Sequence, residues 1–334
     1  MKRNTSVTAF LLVGLLLLLP GLAEAQKNKK PRYTDPAKAD SDFKLQGEYE
    51  GMVGPGDDKS KFGVQVIALG DGKFSAVGFP GGLPGNGWNG EEKMEIEDGE
   101  LKDGTVVFKS DRGIGELSDG EIVVETLDGV ELGSMKKVHR KSKTLGAKPP
   151  EGAVVLFDGA NADGWKNGKM ADDKTLMQGT TSKKVFGSHK IHIEFRLPYM
   201  PKDRGQGRGN SGIYVQGKYE VQMLDSFGLE GKRNECGGIY SVKDCDLNMC
   251  YPPLSWQTYD IEYTAAKYEG DKLVSKPRMT VYHNGVKIHD DVELPGDRNT
   301  TAAPVKASSA KGPIFLQNHG CPVRYRNIWV VEKE

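Results

Sequence analysis

Residues 210–225 read Asn-Ser-Gly-Ile-Tyr-Val-Gln-Gly-Lys-Tyr-Glu-Val-Gln-Met-Leu-Asp and predict two antiparallel strands around a short turn that contains glycine. The second strand carries polar residues where a half-buried strand would normally be apolar. Glu220 and Gln222 are two residues apart, so both side chains leave the same face of the sheet. Asp225 would join them only if a one-residue bulge intervened. This cluster indicates acid–base chemistry, recognition of a polyhydroxylated ligand, or simply a strand with one solvated face.

The rest of the chain is typical of an all-β protein, because glycine is abundant, helical periodicity is weak and short alternating runs lie between turns. In the second half, apolar and polar residues alternate over 191–197 and again over 259–264. Asn284-Gly285 stands between two further runs and is a strong hairpin signal. These patterns predict two sheets with apolar inner faces and a polar outer concave face.

The first half contains several candidate strands that are separated by Asp-Gly turns. The candidates are 47–53, 62–69, 74–79, 105–109 and 121–126. A loop over 79–88 ends in Trp88, which either stacks on a sugar ring or folds back onto its own domain. This segment has no recognisable catalytic grouping, so the sequence assigns it no function.

The N-terminus has the features of a secretory signal peptide. Lys2 and Arg3 give it a basic start, residues 9–19 are almost purely apolar, and 23–25 are a small-x-small cleavage site. We therefore expect cleavage after Ala25, a periplasmic or extracellular location, and no membrane span in the mature chain. The predicted segments are a signal peptide (1–25), a flexible leader (26–42), a small β-rich domain (43–140), a Pro-containing linker (141–151) and a β-sandwich domain (152–334).

The charges of the chain are balanced, with 46 basic and 46 acidic residues. Removal of the predicted signal peptide changes this balance little. A neutral chain of this kind is not typical of proteins that bind nucleic acid or anionic membranes electrostatically. We therefore expect no nucleic-acid partner.

Several short motifs of the second half occur in the order and spacing of a known family. They are 155–159, 163–165, 194–196, 210–214, 219–225, 256–259, 284–286, 312–320 and 325–328. Through these motifs the chain resembles the 3-keto-disaccharide hydrolase family over about residues 152–334. The resemblance implies a concanavalin-like jelly-roll β-sandwich that hydrolyses 3-keto-disaccharides or 3-keto-glycosides.

The implied substrate determines which chemistry is needed. A ketone at C3 acidifies the hydrogen on C2, so the group on C1 can leave by elimination and water can add afterwards. This route requires a base at C2, a stabiliser for the enolate oxygen and an acid for the leaving group. Glu194 and Glu220, expected on neighbouring polar strand faces, are the candidate bases. His319 is the candidate acid or enolate stabiliser, and the alternative for it is a structural hydrogen bond at a strand end.

Five further residues are predicted to bind the substrate. Arginines would stabilise the enolate oxygen or orient the sugar, and amides suit sugar hydroxyls. The five are Arg196, Arg326, Gln222, Gln317 and Asp225. The alternative for Arg326 is an ion pair with a sheet carboxylate. The sequence requires no cofactor, although a divalent cation that polarises the ketone is left open.

Two other functions fit parts of the same pattern. Glu220-x-Gln222-x-x-Asp225 resembles the Glu-x-Asp-x-x-Glu signature of concanavalin-like retaining glucanases, with the central acid replaced by an amide. That replacement weakens the case for an unmodified glucan as substrate. A non-catalytic carbohydrate-binding module would use the same fold and the same polar face, and the fold alone does not choose among the three.

All four cysteines lie in the second half, and an even count in an exported protein predicts disulfides. Four cysteines permit three pairings. The family resemblance implies that Cys236 pairs with Cys250. Cys245 and Cys321 are departures from the family pattern, and their joint presence suggests that they pair with each other. The spacing of Cys245 and Cys250 is not that of a zinc site.

Overall fold

The computed structural model describes residues 30–308 and 310–333, so the predicted signal peptide (1–25) lies outside the described residues. The prediction of an all-β chain is confirmed. The strands form one closed barrel, two sheets that pack as a sandwich, and a separate two-stranded sheet. In the part of the chain that is described, no helix has both the length and the apolar character needed to cross a membrane.

The segment 43–140 forms a closed barrel of eight antiparallel strands, in which each strand pairs with the next and the last pairs with the first. The strands are β1 (Gly47–Val53), β2 (Ser60–Gly70), β3 (Lys73–Pro80), β4 (Met94–Lys102), β5 (Thr105–Lys109), β6 (Ile114–Ser118), β7 (Glu121–Glu125) and β8 (Glu131–Val138). Closure leaves none of these eight strands with an unpaired edge. Trp88, in the loop after β3, folds back onto Phe79 with 5.1 Å between the ring centroids.

Residues that precede the barrel and residues of the sandwich together close one end of it. The short helix α1 (Asp42–Leu45) and a 3₁₀ turn (Pro36–Lys38) lie there. Tyr199 of the sandwich is fully buried against Phe43, with 5.1 Å between the ring centroids. Tyr33 and Tyr199 exchange two backbone hydrogen bonds of 2.9 Å. The predicted flexible leader (26–42) is therefore held in place over its described part.

The remaining strands belong to the C-terminal half. They are β9 (Val154–Phe157), β10 (Trp165–Lys166), β11 (Leu176–Met177), β12 (Thr180–Phe186), β13 (His189–Arg196), β14 (Ser211–Val215), β15 (Tyr219–Met223), β16 (Trp256–Thr264), β17 (Lys267–Glu269), β18 (Lys272–Ser275), β19 (Arg278–His283), β20 (Val286–Glu293), β21 (Gly312–Leu316) and β22 (Arg324–Glu332), with a 3₁₀ turn at Gly205–Gly207. One sheet has five strands in the order β10-β12-β21-β14-β15. The other has seven, in the order β11-β22-β13-β16-β19-β20 with β9 against β22, and β17 and β18 form a separate hairpin.

An apolar layer fills the space between the five-stranded and the seven-stranded sheet. Ile191, Ile193 and Phe195 of β13 contribute to it from one side, and Ile213 and Val221 contribute from the other. All five side chains are fully buried. Because alternate side chains leave opposite faces of a strand, the polar residues between them lie on the two outer faces of the sandwich.

The predicted linker (141–151) lies against the outer face of the seven-stranded sheet. The Thr144 hydroxyl donates to Asp260 at 2.7 Å, and the Asn327 side chain donates to the carbonyl of Ala147 at 2.9 Å. These bonds fix the linker to the sandwich over its middle section, so it does not act as a free spacer.

The structure corrects the predicted disulfides, because all four cysteines are free thiols in it. Cys236 and Cys250 lie side by side in the core of the sandwich, and burial raises the pKa of the Cys250 thiol well above its usual range. Cys245 donates to the carbonyl of Gly231 at 3.0 Å. Cys321 is instead directed, at 3.5 Å, to a backbone carbonyl of the 3₁₀ turn 205–207. Neither the Cys236–Cys250 nor the Cys245–Cys321 bridge is formed.

The contact between Tyr199 and Phe43 at the closed end of the barrel tests how the barrel and the sandwich depend on each other. Tyr199→Ala is expected to lower the free energy of unfolding by about 3–5 kcal/mol, because it removes a fully buried aromatic ring. Tyr199→Phe keeps the ring and loses only the hydroxyl contact with Asp40 (3.1 Å), so we expect a loss of about 0.5–1.5 kcal/mol. Urea unfolding followed by circular dichroism measures both. Equal losses in the two variants would contradict this account of the interface.

Candidate functional site

Glu220 and Gln222 lie side by side on β15, on the outer face of the five-stranded sheet. Their exposed fractions are only 2% and 1%. Every residue of β14 and β15 is buried, so loops cover both strands. A solvated strand face, one of the three interpretations of this pattern, is thereby excluded. A glutamate is almost never buried to this extent unless it is paired or has a function.

The turn between β14 and β15 determines which residues face each other. It spans 216–218, and Gln216 and Gly217 both have positive φ, at 51° and 62°. A Cβ atom on Gly217 would lie 2.8 Å from a methyl group of Val305, so this position requires glycine for space as well as for conformation. The resulting register places Tyr214 beside Glu220.

The Tyr214 hydroxyl is the nearest partner of the Glu220 carboxyl, at 2.6 Å from Oε2. The same hydroxyl lies 3.0 Å from the carbonyl of Thr301 and accepts from the Gln317 side chain at 3.0 Å. Tyr214 has one proton for two acceptors if Glu220 is ionised. If Glu220 is protonated, the carboxyl donates to Tyr214 and Tyr214 donates to Thr301, so that every group is satisfied.

The pKa of Glu220 agrees with the protonated form that these hydrogen bonds favour. Burial raises the pKa of Glu220 to about 8, although the hydrogen bond with Tyr214 acts in the other direction. Oε1 lies over Gly212, where a Cβ atom would approach it to 1.9 Å. A carboxyl group with a pKa close to neutral pH can both donate and accept a proton under physiological conditions, which is what acid–base catalysis requires.

Three amide side chains form a cluster beside Glu220. Oε1 of Gln206 accepts from Asn210 at 3.0 Å and from Gln222 at 3.1 Å. The remaining amide oxygens, Oδ1 of Asn210 and Oε1 of Gln222, are buried and have no partner among the described residues. Buried carbonyl oxygens without a partner are uncommon in proteins. These two are free to accept hydrogen bonds from the hydroxyl groups of a ligand.

Glu194 has a very different environment. It accepts from the backbone N–H of Gly146 at 2.6 Å, from Asn327 at 2.9 Å and from Nε of Arg326 at 2.6 Å. Burial alone would raise its pKa. The hydrogen bonds from these groups, with the His192 ring 3.8 Å away, outweigh burial and lower the pKa of Glu194 to about 2. Glu194 is therefore a permanently ionised carboxylate that holds the linker to the sheet.

The prediction that Glu194 and Glu220 lie on neighbouring polar faces is wrong. Their strands, β13 and β15, belong to different sheets. Both side chains leave the outer face of their own sheet, so the apolar layer of the sandwich lies between them. The two carboxylates cannot act on the same bond.

Arg196 and Arg326 lie on the Glu194 side of the sandwich, away from Glu220. Arg196 forms an ion pair with Asp173 at 2.7 Å, and Arg326 forms the ion pair with Glu194. Their guanidinium carbons lie 4.8 Å and 4.0 Å from the ring centroid of Trp256. For Arg326, the alternative of an ion pair with a sheet carboxylate is thus what the structure contains.

Asp225 does not join Glu220, because β15 ends at Met223 and pairs with β14 without a bulge. Its Oδ2 atom lies 2.6 Å from Nε of Arg208, and Nη1 of Arg208 donates to the carbonyl of Ala68 in the barrel at 3.2 Å. Asp225 and Arg208 both line a cavity of about 330 Å³ between the barrel and the sandwich. Asp225 therefore helps to connect the sandwich to the barrel through Arg208.

Of the two candidate residues in the motif 312–320, Gln317 lies at the site and His319 does not contact it. The backbone N–H of Gln317 donates to Gly212 at 2.9 Å, and its side chain donates to Tyr214. His319 lies beyond the end of β21, exposed on the turn that follows. Among the residues that the structure describes, no group of three or more His, Cys, Asp and Glu side chains is placed to hold a metal ion.

The sequence interpretation assigned no role to several groups that lie at this site. They are Tyr214, Gln206, Asn210 and the backbone of Thr301. Only Tyr214 has a usable signal, because a three-residue turn at 216–218 pairs residue 214 with residue 220. Gln206 lies in the 3₁₀ turn before β14, and Thr301 lies in a loop 87 residues after Tyr214; no periodic pattern points to either of them.

Comparison with known proteins extends these observations. A family model described as a 3-keto-alpha-glucoside-1,2-lyase-like domain matches residues 152–331. The structure of a candidate glycosyl hydrolase from Parabacteroides distasonis, solved at 2.13 Å resolution, is 33% identical over 55% of this chain and 85% of that chain, with a TM-score of 0.50. A second candidate glycosyl hydrolase from that organism is 18% identical over 55% of this chain and 95% of that chain, with a TM-score of 0.42. No match was found among curated proteins.

The protonation of Glu220 predicts a pH dependence of stability. Its pKa is near 4.5 in an unfolded chain and about 8 in the folded protein, so the folded state holds the proton more tightly. Stability should therefore fall as the pH rises from about 5 towards 8, by about 1.4 kcal/mol per pH unit for this group, and then level off. Compared with the parent, Glu220→Gln should lose this contribution to the slope in urea unfolding series.

Glu194→Gln is the matched control on the opposite face. The folded pKa of Glu194 is lowered to about 2, so its stabilisation is present above about pH 4.5 and is lost as the pH falls towards 2. This variant should keep the slope between pH 5 and 8. A slope in Glu220→Gln equal to that of the parent, or a loss of the same size in Glu194→Gln, would contradict the assignment.

Proposed function

The chain belongs, through residues 152–331, to the family of 3-keto-alpha-glucoside-1,2-lyase-like domains, and we propose that it cleaves 3-keto-disaccharides or 3-keto-glycosides. The observation that carries the proposal is Glu220, a buried carboxyl with a pKa of about 8 beside amide oxygens that have no partner. Similarity to a candidate glycosyl hydrolase at 33% identity supports a glycosidic bond as the target. The signal peptide expected at 1–25 supports a further proposal, that the protein acts in the periplasm or outside the cell.

In the proposed reaction Glu220 is the base. Its carboxylate takes the proton from C2, the electron pair forms the enolate of the C3 ketone, and the C1–O bond then breaks. The leaving group takes a proton, and addition of water to the resulting enone places a hydroxyl on C1 and a proton on C2. The net result is hydrolysis by elimination and hydration, which avoids the oxocarbenium-like transition state of an ordinary glycosidase.

The contact between Tyr214 and Glu220 suits a group that changes its protonation state. When Glu220 is ionised, the Tyr214 hydroxyl can donate to it; when Glu220 is protonated, the same hydroxyl can accept from it and donate to Thr301. The hydrogen bond is kept in both states, and only the direction of the protons changes. Little reorganisation is then needed during proton transfer.

Recognition of the sugar is assigned to the amide cluster. Oε1 of Gln222 and Oδ1 of Asn210 are placed to accept from sugar hydroxyls, and Gln206 holds both amides in position. His319, exposed on the turn after β21, stays the proposed proton donor for the leaving group. An exposed position leaves it accessible to a sugar that covers the site.

A retaining glucanase is the less favoured alternative. That mechanism needs two carboxyl groups about 5–5.5 Å apart on either side of the bond. Here the middle position of the signature is Gln222, and Asp225 is bonded to Arg208 away from the face of Glu220. The described residues therefore leave Glu220 without a second carboxylate of the same signature on its face.

The role of Glu220 is tested by a pair of equivalent substitutions. Glu220→Gln removes the proton acceptor but keeps the size of the side chain, and is expected to lower turnover by roughly 10²–10⁴. Glu194→Gln makes the same chemical change on the other side of the sandwich and should leave turnover within about twofold, since its charge holds the linker. Steady-state rates, with circular dichroism to verify folding, measure both. Loss of activity in Glu194→Gln alone would overturn the choice of base.

The substrate class is tested separately. The purified mature protein is incubated with 3-keto-trehalose or a 3-keto-glucoside, and in parallel with the same unoxidised sugar and with a laminarin-type β-glucan. We expect turnover of the 3-keto compounds, with kcat/KM rising with pH towards about 8 as Glu220 ionises, and little hydrolysis of the others. Comparable rates on the glucan would favour the glucanase. Binding without turnover of any compound would favour a carbohydrate-binding module.

A further inference from the structure

The N-terminal barrel encloses a cavity of about 530 Å³ that the proposed reaction does not use. Its walls are almost entirely apolar. They include Phe62, Met94, Ile96, Phe108, Ile122 and Met135. Closely packed interiors contain few voids larger than a water molecule, so a space of this size needs an explanation.

The register of the strands explains why the space is empty at one end of the barrel only. At the closed end, Tyr49 and Phe74 fill the interior with fully buried aromatic rings. Towards the other end, Phe108 on β5 pairs with Gly115 on β6, so Gly115 occupies an inward position without a side chain. A Cβ atom there would lie 3.5 Å from Ile122, an ordinary contact distance. The glycine therefore leaves open a volume that a larger side chain could fill.

Of the three polar side chains that line the cavity, Ser60 is uncharged and exposed, and the other two have partners. Ser110 donates to the carbonyl of Gly113, 3.2 Å away in its own loop. Arg112 forms an ion pair with Glu92 at 3.2 Å, and both side chains are more than 60% exposed. The interior thus offers no free charge to a ligand. A pocket with these walls favours apolar molecules over charged ones.

We propose that the barrel binds one small, uncharged, apolar molecule in this cavity. The volume falls in the range of about 300–1,000 Å³ that is typical of small-molecule sites. An eight-stranded barrel is also just wide enough to hold one small ligand. The proposal does not depend on the reaction assigned to the sandwich, because none of the residues that carry it belongs to that domain.

The test uses the full mature chain and the neutral fluorescent probe N-phenyl-1-naphthylamine, whose emission rises in apolar surroundings. We expect saturable binding with one probe per chain. Gly115→Leu should fill the cavity and weaken binding by about tenfold or more, and Gly115→Ala, which adds one methyl group, should weaken it by roughly two- to fivefold. Decanol should displace the probe at least as well as decanoate, because no free charge faces the cavity.

Glu116→Leu is the matched control, since it adds the same side chain on the same strand but on the exposed outer face. It should bind the probe as the parent does. Thermal unfolding of each variant shows whether the barrel is folded, and Gly115→Ala decides the question if Gly115→Leu does not fold. Absence of probe binding to the parent, equal binding by the parent and the Gly115 variants, or clearly tighter binding of decanoate would overturn the proposal.

Discussion

The apolar layer between the two sheets of the sandwich is the constraint from which the rest of the domain follows. It fixes the register of each strand, because a shift by one residue would turn an apolar face outward. It also divides the polar residues into two sets that never meet. Glu194, Arg196 and Arg326 lie on one outer face, and Glu220 and Gln222 lie on the other. Residues with similar chemistry thus acquire separate roles.

The two glutamates show that burial alone does not decide protonation. Glu194 and Glu220 are buried to almost the same extent, at 1% and 2% exposure. Glu194 receives hydrogen bonds from a backbone N–H, an amide and a guanidinium group, and these offset the cost of removing its charge from water. Glu220 has a single hydroxyl as partner, which is too little to stabilise a buried negative charge. The number of donors, rather than depth in the protein, separates a structural carboxylate from a group suited to proton transfer.

Local sequence patterns were sufficient to predict the hairpin of β14 and β15 and the all-β class. Both depend on alternating residues and turn residues that are only a few positions apart. These patterns were insufficient for the site as a whole. Alternation shows that Glu194 and Glu220 point outward, but it does not show from which sheet. The order of the strands, which carries that information, depends on contacts between residues far apart in the sequence.

The same limit explains the strands of the barrel that sequence patterns missed. β4 (Met94–Lys102) is rich in acidic residues, β6 (Ile114–Ser118) is short, and β8 (Glu131–Val138) contains glycine and two lysines, so none of the three has strong intrinsic strand preference. Each is a strand because its neighbours on both sides supply hydrogen-bonding partners in the closed barrel. Asp225 is a comparable case: the sequence places it near a polar cluster, whereas the fold uses it to join the barrel to the sandwich.

The closed end of the barrel has a consequence for how the protein is made. All eight barrel strands precede residue 140, yet Tyr199 and Leu254, which belong to the buried cluster of the barrel, come from the domain that is synthesised afterwards. When only the first domain has been synthesised, this end of the barrel is covered by the preceding residues alone, such as Phe43 and Leu45. The shielding is complete only after Tyr199 and then Leu254 have been added, about 60 and about 115 residues after the end of β8. The N-terminal domain thus depends for part of its core on residues that are synthesised later. Usually the first domain of a chain folds without contributions from the second.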